Sequence, residues 1–167
     1  LLYLKPGIEE LVQSHRQGGT GSQSEDDHQP DMLPDKYESG NHNAPGLVGL
    51  EAGLAWLAER TVAGIRRHEL ELTAQFLEGL QPIAGIHVHG PNKAEQQVGV
   101  VSVTIENYDP QTLASILDEN FQIQIRSGFH CAPLAHRAIG TFDTGGTARF
   151  SVGPFTTSDQ IDAAVNA

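Results

Sequence analysis

The chain has 167 residues, of which 38% are hydrophobic, enough for one ordinary domain or for a small domain with part of a second. Its formal net charge of −11 excludes nucleic acid and anionic membrane surfaces as expected partners, because an acidic surface repels both. A single cysteine cannot form an internal disulfide, and no Asn-x-Ser/Thr sequon occurs, which together indicate a cytoplasmic setting.

The two ends of the chain indicate a fragment of a longer polypeptide. The chain opens on Leu1-Leu2-Tyr3-Leu4, a run typical of a strand, and closes inside a pattern that predicts an unfinished amphipathic helix from about Ser158. Domain termini are usually polar and frayed. We therefore expect part of any catalytic machinery to lie outside these residues.

Residues 13–46 form a polar segment, rich in Gly, Ser, Asp, His, Asn and Pro. This composition predicts neither helix nor strand for most of the segment. A connection of this length is too long to be passive in a compact domain. It is either disordered or a functional loop that a ligand or a partner subunit orders.

Two helical stretches are predicted next. The first is indicated by leucines at helical spacing, which are Leu47, Leu50, Leu54 and Leu57. A break is expected between Thr61 and Gly64. The second stretch has its own apolar face, made of Ile65, Leu72, Phe76 and Leu80.

From residue 98 the pattern alternates between strands and helices. The β-branched run 98–105 predicts a strand, and Asp109-Pro110 predicts the start of a helix that ends in a left-handed residue at Asn120. Alternation over 121–126 and the run 148–152, after a turn at Gly145-Gly146, predict two further strands. The expected architecture is a small α/β sandwich with helices on a three- or four-stranded sheet.

The one cysteine lies in Arg126-Ser127-Gly128-Phe129-His130-Cys131-Ala132-Pro133, which follows a predicted strand and leads into a loop. A free cysteine is often a small buried hydrophobe, and packing is the alternative interpretation of Cys131. Arg126 and His130 flank this thiol, and nearby cations favour the thiolate. The hypothesis is therefore a thiolate nucleophile carried on a loop.

Zinc is the other chemistry that these side chains suggest, because His130, Cys131 and His136 lie close together in the sequence. Structural zinc sites normally use several cysteines at fixed spacing, and this chain has one. No metal site is therefore predicted. His87 and His89 are better explained as the exposed face of an edge strand.

The glycine run 18–22 offers backbone N–H groups to a phosphate. It lacks the Lys-Ser/Thr ending of a nucleotide P-loop, and no strand and helix frame it. Taken alone, such a run is more often a flexible turn.

Three segments together resemble the C-terminal part of class V aminotransferase-fold proteins, most closely the Suf-type (group II) cysteine desulfurases. The glycine run, followed by Lys36-Tyr37-Glu38-Ser39-Gly40-Asn41-His42-Asn43, is similar to the family's glycine-rich loop and its R-F-E-x-G-T-x-N segment. Residues 126–132 are similar to R-x-G-H-H-C-A, which holds the nucleophilic cysteine. Residues 147–153 resemble the strand whose arginine binds the substrate carboxylate.

The resemblance implies an α/β protein with fold type I of the pyridoxal-phosphate-dependent transferases. Residues 1–60 would be the tail of the large cofactor-binding domain, with loop and dimer-contact roles, and residues 61–167 the small C-terminal α/β domain. The cofactor, pyridoxal 5′-phosphate, would be held by a lysine before residue 1, which makes this chain inactive by itself. The implied reaction converts L-cysteine into L-alanine and an enzyme persulfide.

The resemblance also implies roles for individual residues. The implied site contains, for catalysis, Cys131 and His130; for substrate binding, Arg149 and Arg126; and for the cofactor, Thr20, Gly40 and Asn41. Phe129 replaces a histidine of the family pattern, and Asn41 replaces a threonine that reaches the cofactor phosphate across the dimer. A homodimer is implied, with an amino-acid substrate and a sulfur-acceptor protein as partners.

Other functions stay open at this point. Transaminases, epimerases and selenocysteine lyases share the fold, and in them Cys131 need not carry sulfur. A non-catalytic dimerisation fragment is the alternative outside enzymes. Release of alanine from cysteine would separate a desulfurase from a transaminase.

Overall fold

The computed structural model describes residues 1–19 and 23–167 and divides the chain into two units, Leu1–Trp56 and Leu57–Ala167. The described residues of the first unit form turns up to residue 43, after which helix α1 (Ala44–Arg60) begins. The expectation of neither α-helix nor strand in the polar segment therefore holds for its described residues before α1. None of the described helices is long and apolar enough to cross a membrane.

Hydrogen bonds between distant residues hold the turns of the first unit together. Lys36 Nζ donates to the Glu9 carbonyl at 2.8 Å. The Tyr37 hydroxyl donates to the carbonyls of Glu9 and Val12, at 3.0 and 2.9 Å. The polar segment is thus tied to the start of the chain by side chains rather than by an apolar core.

The second unit consists of helices on an antiparallel sheet. Its helices and strands are α2 (Val62–Leu80), β1 (Ile86–His89), β2 (Val100–Ile105), α3 (Pro110–Phe121), β3 (Arg126–Gly128), α4 (Pro133–Ala138), β4 (Thr147–Ser151) and α5 (Ser158–Asn166). The sheet has four strands in the order β1-β2-β4-β3. The predicted helices on a three- or four-stranded sheet are confirmed.

The sheet has one apolar and one polar face, because successive side chains of a strand point to opposite sides. Val101, Val103 and Ala148 lie on the apolar face, each about 1% exposed. They pack with α2, α3 and α5, where the Phe76 ring lies 4.9 Å from the Phe150 ring. The other face is mostly polar and, besides Val100, carries His87, His89, Ser102, Thr104, Arg126, Thr147, Arg149 and Ser151.

Capping side chains start the helices where the sequence predicts. Thr61 accepts a hydrogen bond from the Gly64 N–H at the start of α2, and this is the predicted break between the two helical stretches. Asp109 accepts from the N–H groups of Gln111 and Thr112 at the start of α3. Thr157 forms a reciprocal capping box with Gln160 at the start of α5.

The region after α3 differs from the prediction in two ways. The left-handed residue that ends the helix is Gln122, with φ 58°, and not Asn120, whose side chain instead donates to the Ile116 carbonyl. The predicted strand over 121–126 was wrong in position, because β3 begins only at Arg126. Ile123 and Ile125 do pack against the core, but the β3 pairing with β4 starts at Arg126.

Gly146 allows β3 and β4 to approach closely. It has φ +95°, and a Cβ atom at this position would overlap the Gly128 carbonyl oxygen. Gly145 also has a positive φ, which confirms the predicted glycine turn. Since Gly128 pairs with Thr147 in the sheet, the glycine at 146 permits this register of the two strands.

We expect Gly146→Ala to lower the free energy of unfolding by roughly 3 kcal/mol, because it adds a backbone clash to the cost of a left-handed alanine. Gly140→Ala is the matched control, since Gly140 has φ +76° but no atom within 4 Å of its added Cβ. That variant should lose only about 1–2 kcal/mol. Urea unfolding measures both, and equal losses would contradict the close approach.

Candidate active site

The polar face of the sheet brings two arginines side by side. Arg149 of β4 pairs directly with Arg126 of β3, and on its other side with Ser102 of β2. Side chains of directly opposite residues share a face, so both guanidinium groups lie on the polar face. Like charges in this arrangement destabilise a sheet, and within the described residues neither arginine forms a salt bridge. The pair is thus suited to an anionic ligand.

Arg149 is the more buried member of this pair. Its Nε atom is buried and has no hydrogen-bond partner among the described residues. A buried donor without a partner costs free energy, which an incoming acceptor would recover. A carboxylate fits this requirement, because guanidinium and carboxylate groups match in planar geometry and in charge.

Cys131 lies in a tight turn, the thiol turn (residues 129–132), between β3 and α4. The Ala132 N–H donates to the Phe129 carbonyl at 2.8 Å and closes the turn. The central residues His130 and Cys131 have φ of 53° and 61°, as in a type I′ turn. Left-handed backbone at residues other than glycine costs on the order of 1–3 kcal/mol each and is concentrated at functional sites.

The thiol of Cys131 is exposed and contacts one cation. Arg126 Nη2 donates to Cys131 Sγ across 3.3 Å. A guanidinium at this distance stabilises negative charge on sulfur, and the thiolate is the nucleophilic form of cysteine. The packing alternative for Cys131 does not fit an exposed side chain.

His130 is a half-buried neighbour of Cys131. Its Nε2 lies 3.0 Å from the hydroxyl of the fully buried Thr147, and its Nδ1 is buried with no partner among the described residues. Burial lowers the pKa of His130 below the ordinary 6.5, and the charges of Arg149, His136 and Arg126 lower this pKa further. The ring is therefore neutral at pH 7, with one N–H group and one lone pair available.

Aromatic side chains support the thiol turn. The Phe129 ring stacks on Phe142 at 5.1 Å and meets His136 edge-on at 5.6 Å. The Arg137 guanidinium lies 4.4 Å above the Phe142 ring, and buried His136 is hydrogen-bonded to the Thr141 hydroxyl. We call Phe129, His136, Arg137 and Phe142 the aromatic clasp.

The remaining predicted site residues lie in the first unit. Gly18, Gly19 and Gly40 all have positive φ, and the Gly40 N–H donates to the Gly19 carbonyl at 3.0 Å. A Cβ atom on Gly19 would lie 2.8 Å from Gly40 Cα, so only glycine fits there. Asn41 is exposed beside this contact, and Thr20 lies outside the described residues. Such glycine-lined backbone with an adjacent amide fits the phosphate of a bound cofactor.

The histidines at 87 and 89 do not create a metal site. Both are on the edge strand β1, as predicted, with ring centroids 4.6 Å apart. The His89 Nε2 atom is engaged with the Thr104 hydroxyl at 2.9 Å, and burial lowers the pKa of His89. Among the described residues, no three His, Cys, Asp or Glu side chains converge to hold a metal ion.

Four residues of this site had no predicted role in it, although His136 had been considered as a zinc ligand. They are Thr147, which binds His130, and His136, Arg137 and Phe142 of the aromatic clasp. Thr147 carried a usable signal, because alternation places it on the same face of β4 as Arg149. The aromatic clasp had no such signal in the sequence, because its contacts depend on how α4 packs against the thiol turn.

Sequence comparison relates the chain to known proteins. The sequence model of the family named aminotransferase class-V matches residues 1–164. A probable cysteine desulfurase of Methanothermobacter thermautotrophicus is 34% identical over 138 residues, which are 83% of this chain and 34% of that protein. One of Halalkalibacterium halodurans is 36% identical over 132 residues, 78% of this chain and 30% of that protein. The chain thus spans about a third of the length of these curated relatives.

Solved structures give the same result for the fold. The apo cysteine desulfurase of Thermococcus onnurineus NA1 is similar, with a TM-score of 0.71 at 28% identity over 80% of this chain and 32% of that one. The Escherichia coli cysteine desulfurase CsdA has a TM-score of 0.64 at 25% identity, over 80% of this chain and 31% of its own. The predicted fold class, fold type I of the pyridoxal-phosphate-dependent enzymes, is confirmed.

We expect the His130 ring to titrate below pH 6.5, because burial and neighbouring charges disfavour its protonated form. The unfolded chain then binds this proton more readily than the folded chain does. The free energy of unfolding contributed by neutral His130 is therefore present at pH 7 and is lost as the pH falls below about 6.5. NMR titration of the ring, assigned by its absence in His130→Gln, measures the midpoint. A midpoint at or above 6.5 would contradict the described environment.

Proposed function

The chain belongs to the class-V aminotransferase family, and we propose that the protein of which it forms part is a pyridoxal-phosphate-dependent cysteine desulfurase. It would convert L-cysteine into L-alanine and retain the sulfur on Cys131 as a persulfide. The observation that carries this proposal is the exposed Cys131 thiol, which Arg126 holds in a strained turn. Arg149, whose Nε atom has no partner among the described residues, lies opposite Arg126 in the sheet. The cysteine desulfurases among the chain's relatives support the proposal.

Arg149 is proposed to bind the carboxylate of the amino-acid substrate. A carboxylate on its guanidinium would satisfy the buried Nε atom and neutralise part of the charge shared with Arg126. Holding the substrate at this point restricts where its sulfur can lie, which reduces the entropic cost of reaching the reactive geometry.

Pyridoxal phosphate fits the residues present in the first unit. Its phosphate would be held by Gly40 and Asn41, beside the exposed glycine backbone at 18–19, and the resemblance adds Thr20, which lies outside the described residues. When bound, the cofactor supplies an electron sink for carbanion chemistry at the substrate. This chain's own contribution to the reaction lies in the carboxylate and sulfur contacts.

The sulfur step follows from the position of Cys131. Its thiolate, stabilised by Arg126, attacks the sulfur of the bound cysteine and forms an S–S bond. The bond from that sulfur to the substrate Cβ breaks, and Cβ gains a proton to give the methyl group of alanine. The atoms balance, since one cysteine and one thiol become one alanine and one persulfide.

His130 is proposed to hold a proton during this step. It directly precedes Cys131, is neutral at pH 7, and has Nδ1 without a partner among the described residues. A neutral imidazole can take the proton that a thiol loses and later return one. Thr147 orients the ring through Nε2.

The wider organisation of the protein is also proposed from the family. Residues 1–60 would complete the large cofactor-binding domain, and residues 61–167 would be the small domain. The active protein would be a cytoplasmic homodimer, and a sulfur-acceptor protein would collect the persulfide from exposed Cys131.

We expect Cys131→Ser in the complete enzyme to reduce alanine release from L-cysteine at least about 1,000-fold, because a neutral hydroxyl is a poor nucleophile toward sulfur. Substrate binding, measured as quenching of the cofactor absorbance band, should persist. Leu134→Ala, an exposed neighbour on α4, is the control and should keep full activity. Full alanine release by the serine variant would reject the proposal and favour a transaminase, epimerase or lyase.

A further inference from the structure

The thiol turn is strained, and its own sequence does not explain its shape. Type I′ turns favour Asn and Gly at their central positions, yet here His130 and Cys131 occupy them with φ of 53° and 61°. Strained backbone persists only where its surroundings fix it. Contacts beyond the turn must therefore hold this conformation.

The aromatic clasp supplies such a contact at the first residue of the turn. Phe129 stacks on Phe142 with an angle of 27° between the rings. The Arg137 guanidinium in turn lies over the Phe142 ring. His136, only 4% exposed and bound to Thr141, meets the edge of Phe129. The Phe129 ring therefore packs against two side chains, the hydrogen-bonded His136 and the stacked Phe142.

Fixing Phe129 also fixes the thiol. The carbonyl of Phe129 accepts the Ala132 N–H that closes the turn, and Cys131 lies between these two groups. At the other end, Pro133 begins α4, whose residues His136 and Arg137 belong to the clasp. Both ends of the turn are thus tied to the same aromatic contacts.

We propose that Phe129 and Phe142 are positioning residues for the nucleophile: the aromatic clasp holds the thiol turn so that Cys131 Sγ stays on Arg126. This inference rests on the proposed function for its catalytic consequence, but the positioning itself does not depend on it. Phenylalanine suits the task because its stacking, unlike that of a histidine, is unaffected by protonation.

The size of the effect follows from the strength of an aromatic pair. In the held turn the Ala132 N–H is bonded to the Phe129 carbonyl, and in the open turn this bond is lost. Losing an aromatic pair changes the ratio of held to open turns roughly 2- to 10-fold. An open turn separates Cys131 from Arg126, and the thiolate is then less stabilised. The open population, and with it the exchange rate of the Ala132 amide, should rise by a comparable factor, and reactions of the thiol that need the held turn should slow.

The test compares four variants of the complete enzyme. Phe129→Ala and Phe142→Ala remove the stacked pair from either side, and Phe129→Tyr keeps it. Phe121→Ala is the matched control, because Phe121 is 45% exposed and Phe129 is 38% exposed. The readouts are the alkylation rate of Cys131 by iodoacetamide at pH 7, hydrogen exchange of the Ala132 amide, and kcat and KM for L-cysteine.

We expect both clasp variants to speed hydrogen exchange at Ala132 roughly 2- to 10-fold, to slow alkylation of Cys131, and to lower kcat with KM little changed. Phe129→Tyr should restore all three, and Phe121→Ala should match the unmodified protein. Alkylation and exchange rates that stay the same in both clasp variants would overturn the proposal. If an alanine variant does not fold, Phe129→Leu replaces it, since leucine keeps apolar bulk without a stacking face.

These readouts separate the two proposals. Alkylation and amide exchange need no substrate, so they decide the positioning role even in an enzyme that releases no alanine. Loss of alanine release in every protein, including the unmodified one, would reject the desulfurase proposal alone. Clasp variants with normal alkylation and exchange would reject the positioning role alone.

Discussion

The pairing of β3 with β4 is the constraint on which the site depends. It places Arg126 directly opposite Arg149, and main-chain hydrogen bonds keep the two guanidinium groups together despite their repulsion. Arg126 also holds the sulfur, because the thiol turn follows β3 directly and brings Cys131 Sγ within 3.3 Å of Arg126 Nη2. Strand β3 thus connects the arginine pair to the Cys131 thiol. Gly146 permits the register of β3 and β4, because any residue with a Cβ atom at this position would clash with the Gly128 carbonyl.

The site combines several local costs that the rest of the fold offsets. Two left-handed residues, an arginine pair and two buried nitrogens without partners are each unfavourable by themselves. They are held over a core in which Phe76, Val101 and Val103 are almost fully buried. Strain and unpaired polar groups are typically concentrated at functional sites. A bound ligand can pair with such groups and recover free energy that folding alone does not.

Much of the site could be predicted from sequence because its chemistry is local. The segment around Cys131 places an arginine and a histidine within five residues of the thiol, and the alternation of β4 places Arg149 on a polar face. The helix starts at Asp109 and Ser158 were also predictable, since capping depends on neighbouring residues. The end of α3 at Gln122 was not, because Asn120 is occupied by a bond within the helix.

Features that depend on distant contacts could not be predicted. The strand register, the stacking of Phe129 on Phe142 and the bond from Thr147 to His130 join residues far apart in the sequence. Periodicity shows which face a residue occupies, but it does not show which residue lies opposite. The positive φ of Cys131 is likewise a consequence of its surroundings, because cysteine has no intrinsic preference for it.

The two opposed arginines would have different roles in the reaction, with Arg149 binding the carboxylate and Arg126 holding the sulfur. Steady-state kinetics with L-cysteine on Arg149→Ala and Arg126→Ala in the complete enzyme tests this difference most directly. Arg149→Ala should lower kcat/KM roughly 30- to 1,000-fold, mainly by raising KM, and Arg149→Lys should restore only part of the loss. Arg126→Ala should lower mainly kcat. The same change in kcat and KM from both alanine variants, or no change from either, would contradict the account.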